Sequence, residues 1–188
     1  MILYQGKHRV ETTRLQAWDY RSSAWYFVTI CTRNRAGMLG TVCGGQAKLS
    51  AAGEIAAAEL VALAKHYSHV VIDCFIVMPN HVHLILVLDG NHRYSVEPGA
   101  SIERGAVRKP RFLPPLAGSL SAIIRSYKAG VTRRCRDIGL RDFGWQTRFH
   151  EHILRGNIAV NAVRDYIARN PGNWSKDREN PTNWPREG

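Results

Sequence analysis

Apolar residues recur along the chain with two spacings, every second residue and every third to fourth, and the switches between them mark its elements. Trp25–Thr32 (WYFVTICT) is rich in aromatic and β-branched residues and reads as a strand. Arg33, Asn34, Arg35 and Gly37 end it, and a short strand is expected around Met38–Val42. Ser50 is placed to cap a helix over Ala51–Tyr67, alanine-rich and striped by Ile55, Leu60, Leu63 and Ala64. Val70–Met78 and His81–Leu88 are two further strand runs. Pro79-Asn80 between them predicts an antiparallel hairpin, because Pro fixes φ and Asn tolerates tight turns.

Asp89–Pro115 has four prolines, several glycines and little periodicity, and reads as a long exposed loop. Ser119–Arg136 resumes as a basic amphipathic helix with Leu120, Ile123, Ile124, Tyr127 and Val131 on its apolar side. Trp145–Leu154 fits a strand or a loop. Ile158–Asn170 is a helix stopped by Pro171, since a residue before proline is disfavoured in the helical region. The residues beyond, rich in Pro, Asn and Trp, read as irregular coil. Strand, strand, helix, hairpin, helix predicts an α+β fold: one antiparallel sheet of ferredoxin-like type with helices on one face. A length of 188 residues suits one domain, over 1–181 with a tail at 182–188.

Charge changes this picture. The net charge is +11, and residues 101–150 alone carry 11 basic against 3 acidic side chains. Such clustering favours a polyanion, nucleic acid before an anionic membrane surface. Arg125, Lys128, Arg133, Arg134 and Arg136 lie on or just after one helix and suit a phosphate backbone. Arg104, Arg108, Lys109 and Arg111 lie in the proline-rich loop. Trp145, Trp174 and Trp184 are the aromatic rings for stacking unpaired bases, or else for a core. The N-terminus has no apolar run of signal-peptide length, and none is long enough to span a membrane, so a cytoplasmic, nucleoid-associated protein is expected. The cysteines show no C-x-x-C spacing and read as reduced thiols.

His81-Val82-His83 opens a strand, where side chains two apart share a face, so both imidazoles project together while Val82, Leu84, Leu86 and Leu88 face the core. Two imidazoles start a metal site but need a third ligand. His150-Glu151-His152 is a second such pair, and two pairs could build a zinc hydrolase centre. In the last helix Ala159, Ala162, Val163, Tyr166 and Ile167 form a stripe, and Asn170 follows Tyr166 by one turn, its amide beside the phenol. No phosphate-binding or dinucleotide glycine pattern is present.

Taken in order, Val77-Met78-Pro79-Asn80-His81-Val82-His83-Leu84-Ile85-Leu86, Trp145-Gln146, Glu151-His152-Ile153-Leu154-Arg155, Asp165-Tyr166-Ile167 and Asn170-Pro171 resemble a known family. The set is similar to the REP-associated tyrosine transposases, of the insertion-sequence-200-like single-tyrosine HUH transposases. Tyr26–Thr32 and the Asp177-Arg178-Glu179-Asn180-Pro181 ending resemble them too, so the likeness runs from about Arg14 to Pro181. It implies the HUH endonuclease fold, with His81 and His83 as ligands for Mg²⁺ or Mn²⁺ and Tyr166 as nucleophile. Asn170 stands where related enzymes place a polar metal-binding side chain.

The implied activity is metal-dependent cleavage and rejoining of single-stranded DNA near hairpins, through a 5′-phosphotyrosine link, by a monomer or a homodimer. Trp145, Gln146 and Arg155 join the basic helix as DNA-binding candidates. The chain departs from the family at His150-Glu151, where relatives carry tyrosine and aspartate, which leaves His152 as the matching residue and the second H-x-H pair incidental. It departs also at Gly156-Asn157, where acidic residues are common. Tyr127 is the runner-up nucleophile. Two other readings stay open: a DNA-binding regulator of the same fold without cleavage, and the zinc hydrolase.

Overall fold

The computed structural model describes residues 18–89 and 117–183, and the backbone of residues 3–4 and 7–8. Residues 90–115 of the basic loop, with Arg104, Arg108, Lys109 and Arg111, lie outside the described residues, as do Trp184 and residues 185–188.

In chain order the strands are β1 (Leu3–Tyr4), β2 (Lys7–His8), β3 (Ala24–Cys31), β4 (Gly40–Cys43), β5 (Gln46–Leu49), β6 (Val70–Val77), β7 (His81–Leu88) and β8 (His150–Leu154). The helices are α1 (Ala51–His66), α2 (Leu120–Asp137) and α3 (Gly156–Arg169). Four strands form the main sheet in the order β6–β7–β3–β8, all antiparallel. With α1 between β3 and β6 and α2 between β7 and β8, this is the ferredoxin-like arrangement expected from the pattern. β1 with β2 and β4 with β5 form two further two-stranded antiparallel sheets. The ambiguous segment before Leu154 forms the edge strand β8, held by the register Trp25↔Leu154, Phe27↔His152 and Thr29↔His150.

Local chemistry explains the helix starts. Ser50 Oγ accepts from the Gly53 amide at 3.2 Å and Ser119 Oγ from the Ala122 amide at 3.3 Å, so each helix satisfies one of its open N–H groups. The hairpin between β6 and β7 closes across Pro79-Asn80, with the Met78 amide donating to the His81 carbonyl at 2.8 Å.

The sheet is covered on both faces, which corrects the expectation of helices on one. Tyr26, Val28 and Ile30 of β3 and Val82, Leu84, Leu86 and Leu88 of β7 bury one face under α1 and α2. The alternate positions of β3, β6 and β7 are apolar too. Trp25, Phe27, Ile76 and Ile85 would otherwise meet water, and Val160, Val163 and Ile167 of α3 pack over them. Residues 171–183 are likewise more ordered than coil. Two short 3₁₀ turns, Pro171–Lys176 and Pro181–Asn183, carry them back along the sheet, and Asp177, Glu179 and Asn180 are buried. All four cysteines are free thiols, with Cys31 and Cys135 buried, Cys74 half-buried and Cys43 exposed. Among the described residues no helix is long and apolar enough to cross a membrane.

Candidate active site

His81 and His83 sit at the start of β7 on the face that α3 covers, opposite Cys31 and Thr29 of β3. Their ring centroids are 4.3 Å apart and both residues are buried. A buried imidazole needs its ring nitrogens accounted for. His83 Nδ1 meets Thr29 Oγ1 at 2.8 Å, and His81 Nδ1 meets Asn80 Oδ1 at 2.9 Å. The Asn80 amide is oriented by its other end, because Nδ2 donates to the carbonyls of Arg35 at 3.1 Å and Glu179 at 2.7 Å. Its Oδ1 is therefore the acceptor, so His81 carries its proton on Nδ1 and offers a lone pair on Nε2. That Nε2 is buried without a hydrogen-bond partner.

Asp177 stands beside this pair. One ligand atom from each of His81, His83 and Asp177 lies within 4.8 Å of the others. The carboxylate is itself held: Oδ2 accepts from Asn170 Nδ2 at 2.8 Å, and Oδ1 accepts from the Glu179 amide at 2.6 Å. Asn170 Oδ1 is buried and has no partner. Burial holds His81 down to about 3, with the nearby Arg35 charge adding to it. Burial also holds His83 down to about 3, helped by His81 and opposed by Asp177. Both imidazoles are thus neutral, the form in which histidine binds a metal. Two imidazoles, one carboxylate and an orphaned amide oxygen make a donor set that fits a divalent cation.

Tyr166 completes the site from α3. Its Oη lies 3.3 Å from His83 Nε2, and its ring meets Phe27 edge-on at 5.9 Å. It remains 43% exposed, open to a large substrate. Burial raises the phenol above its usual pKa, and the charges of Asp177 and Glu179 raise it further. Left to these residues, the phenolate is harder to form than in water. A cavity of about 250 Å³ opens here, lined by Phe27, Thr29, His83, Tyr166 and the rim residues His150 and His152.

Other sequence candidates separate from this centre. β3 stands between His83 and β8, so the two H-x-H pairs do not converge into the zinc hydrolase arrangement; His150 and His152 stay on the exposed rim. Tyr127 is buried on the far side of the sheet, its Oη donating to the Ala56 carbonyl at 3.1 Å. Trp174 faces His81 with centroids 6.0 Å apart. In the sequence Asp177 and Glu179 stand out only as part of a family-like ending. The one signal there for their role is an acidic pair close behind Asn170 in an otherwise polar stretch.

The basic candidates also divide. Arg133 and Arg136 on α2 join Arg33, Trp145 and Gln146 around a groove of about 580 Å³. Lys128 lines it too but turns inward, its Nζ donating to the carbonyls of Gln146 at 2.9 Å and Arg148 at 2.8 Å. Burial lowers its pKa to about 8. Arg134 pairs with Glu59 at 3.0 Å, and Arg125 and Arg155 are exposed away from the groove lining. Trp145 packs edge-on against Phe143 at 5.1 Å, an interior role more than a stacking platform.

No family model matches the chain. An uncharacterised protein of Haemophilus influenzae (strain Rd) is 28% identical over 173 residues, covering 92% of this chain and 94% of its own. Among solved structures, a REP-associated tyrosine transposase bound to a REP hairpin aligns over 90% of this chain and 77% of its own, at 21% identity and a TM-score of 0.57. A protein from Deinococcus radiodurans aligns over 84% of this chain and 96% of its own, at 13% identity and a TM-score of 0.46. The fold is therefore that of the REP-associated tyrosine transposase, as the sequence resemblance implied.

Proposed function

We propose that the protein is a metal-dependent endonuclease and strand transferase for single-stranded DNA, of the REP-associated tyrosine transposase kind. The observation that carries this reading is the approach of Tyr166 Oη to His83 Nε2, at 3.3 Å, on a sheet face where two neutral imidazoles and a buried carboxylate converge. A phenol at the open end of such a donor set suits covalent attack on a phosphodiester. His81 and His83, with Asn170 as the third side chain, hold Mg²⁺ or Mn²⁺. When bound, the cation supplies positive charge that polarises the scissile phosphate and favours the phenolate that the surroundings alone disfavour.

Tyr166 Oη forms the new bond to phosphorus and the bond from phosphorus to the 3′-oxygen breaks. The phenolic proton leaves to water, and the departing oxygen takes one up as a free 3′-hydroxyl. The product is a 5′-phosphotyrosine link that keeps the energy of the cut bond, so a 3′-hydroxyl can rejoin strands without a nucleotide cofactor. Phe27 and Thr29 fix the positions of the phenol and of His83 from below. The basic groove around Arg33, Arg133 and Arg136 supplies sequence-independent contact with phosphates. A hairpin is the substrate proposed, in keeping with the hairpin bound to the solved neighbour.

The test is a denaturing gel of protein incubated with Mn²⁺ and labelled single-stranded hairpin DNA. Wild type is expected to give a slow, covalent band. Tyr166→Phe is expected to lose that band and keep hairpin binding, while Tyr127→Phe keeps both. A band that survives in Tyr166→Phe removes Tyr166 as the nucleophile.

A further inference from the structure

Resting on the reading of this face as a cation site, we propose that Asp177 is its anionic ligand. The segment 170–180 is then a working part of the centre, and Asn170 is a positioning residue for Asp177 as well as a donor. His81, His83 and Asn170 alone would offer a dication only neutral atoms. Hard divalent cations that work at phosphate are instead held through carboxylates. Asp177 is the buried carboxylate within reach of both imidazoles, and the only His, Cys, Asp or Glu to join them among the described residues.

Its setting is built for this. Asp177 is buried, at 7% exposure, with one ligand atom of each imidazole within 4.8 Å of its carboxylate. Two hydrogen bonds, from Asn170 Nδ2 and the Glu179 amide, fix its plane and leave lone pairs open on both oxygens. Opposite them, His81 Nε2 is a buried acceptor lacking any donor. A buried imidazole lone pair facing a carboxylate repels it, and one cation between them satisfies both.

The chain holds Asp177 there by means independent of the cation. Glu179 pairs with Arg35 at 2.8 Å, and its carbonyl accepts from Asn80, the same amide that sets the His81 tautomer. Asn80 thus couples the first ligand strand to the tail. Arg35 and Asn34 before it have φ of 50° and 55°, in the left-handed region, and the Arg35 carbonyl also accepts from Asn80. The turn after β3, the β6–β7 hairpin and the tail are therefore tied into one cradle.

The experiment is isothermal titration of Mn²⁺ into the full chain without DNA, with hairpin binding in the absence of metal as a control. Asp177→Asn, which keeps shape and removes charge, is expected to weaken Mn²⁺ at least ~10-fold, the lower end of what even supporting residues contribute. Asp177→Glu is expected to recover part of that loss, and His83→Ala to lose binding. Wild-type affinity in Asp177→Asn beside loss in His83→Ala overturns the assignment of Asp177 while leaving the cation site intact. Failure of the wild type to bind Mn²⁺ overturns both. Should Asp177→Asn not fold, infrared difference spectra of wild type labelled with ¹³C-aspartate decide the matter: a carboxylate band shifted by one equivalent of Mn²⁺ supports the ligand, and an unchanged spectrum removes it.

Discussion

Lys128 shows how one side chain can leave the role its sequence position suggests. It lies on the basic helix, yet its ammonium bonds two backbone carbonyls and sits over the Phe149 ring. Burial lowers its pKa to about 8, against an unfolded value of about 10.4. Below pH 8 the ammonium is charged in both states and its desolvation cost is fully present. Between about 8 and 10.4 the unfolded chain binds more protons, so this cost is relieved and stability rises with pH. The stability of wild type minus that of Lys128→Met is thus expected to increase from pH 7.5 to 10, measured by urea unfolding. An unchanged difference would show that the lysine is not desolvated. Thr29 and Asn80 make the opposite point. Each is a small polar residue in an apolar strand or turn; Asn80 fixes the proton of His81, and Thr29 holds the His83 ring in place.

Among the elements, α3 matters most for chemistry because it carries Tyr166 across the sheet. Beyond Val160, Val163 and Ile167 and the Tyr166–His83 contact, it is tied to β6 by an ion pair. Arg164 Nε donates to Asp73 Oδ2 at 2.8 Å, its Nη2 reaches the other oxygen, and its guanidinium lies 5.5 Å over the Trp25 ring. Asp73 sits at the β-bulge between Ile72 and Cys74, which turns its carboxylate toward the helix. Arg164 is two residues from Tyr166. Exposed pairs contribute only about 0.2–1 kcal/mol to stability. Asp73→Asn is accordingly expected to change unfolding free energy by less than ~1 kcal/mol while slowing covalent adduct formation several-fold. Equal adduct rates would confine the pair to a surface role. This geometry is only partly legible in the sequence. The β6–β7 hairpin, both serine caps and the facing of His81 and His83 follow from local rules that a sequence displays. The bulge at Asp73, the edge strand β8 and the second covered face depend on partners distant in the chain. The apolar alternate positions Trp25, Phe27 and Ile85 hold the clue to α3's place.

At the scale of the molecule, the His81–His83–Asp177 cluster and the basic groove lie on different sides of the end of β3. Thr32 bridges to Trp145 and begins the turn through Arg33 and Arg35. From there Arg35 reaches inward to Glu179, while Arg33 joins the groove with Arg133 and Arg136. On α2 Arg133 and Arg136 line this groove, while Arg134 pairs with Glu59 and Lys128 bonds carbonyls. Replacing Arg133 and Arg136 together by Gln is expected to weaken hairpin binding and to flatten the dependence of log affinity on log salt, by roughly 0.7–0.9 for each phosphate no longer neutralised. A slope identical to wild type would place the phosphate-binding cations elsewhere. Asp177 could not be read as part of the centre from spacing, because 94 positions separate it from His83 and only the fold closes that distance.

That separation has a consequence during synthesis. At about 5–20 residues per second, His83 is made some ~5–20 s before Asp177. A growing chain, or one terminated before residue 177, already has the material for the four-stranded sheet and the basic rim, but not the carboxylate. A chain stopped just before residue 177 also loses the Glu179 ties to Arg35 and Asn80, so it is expected to give no covalent band and to unfold at lower urea than the full chain.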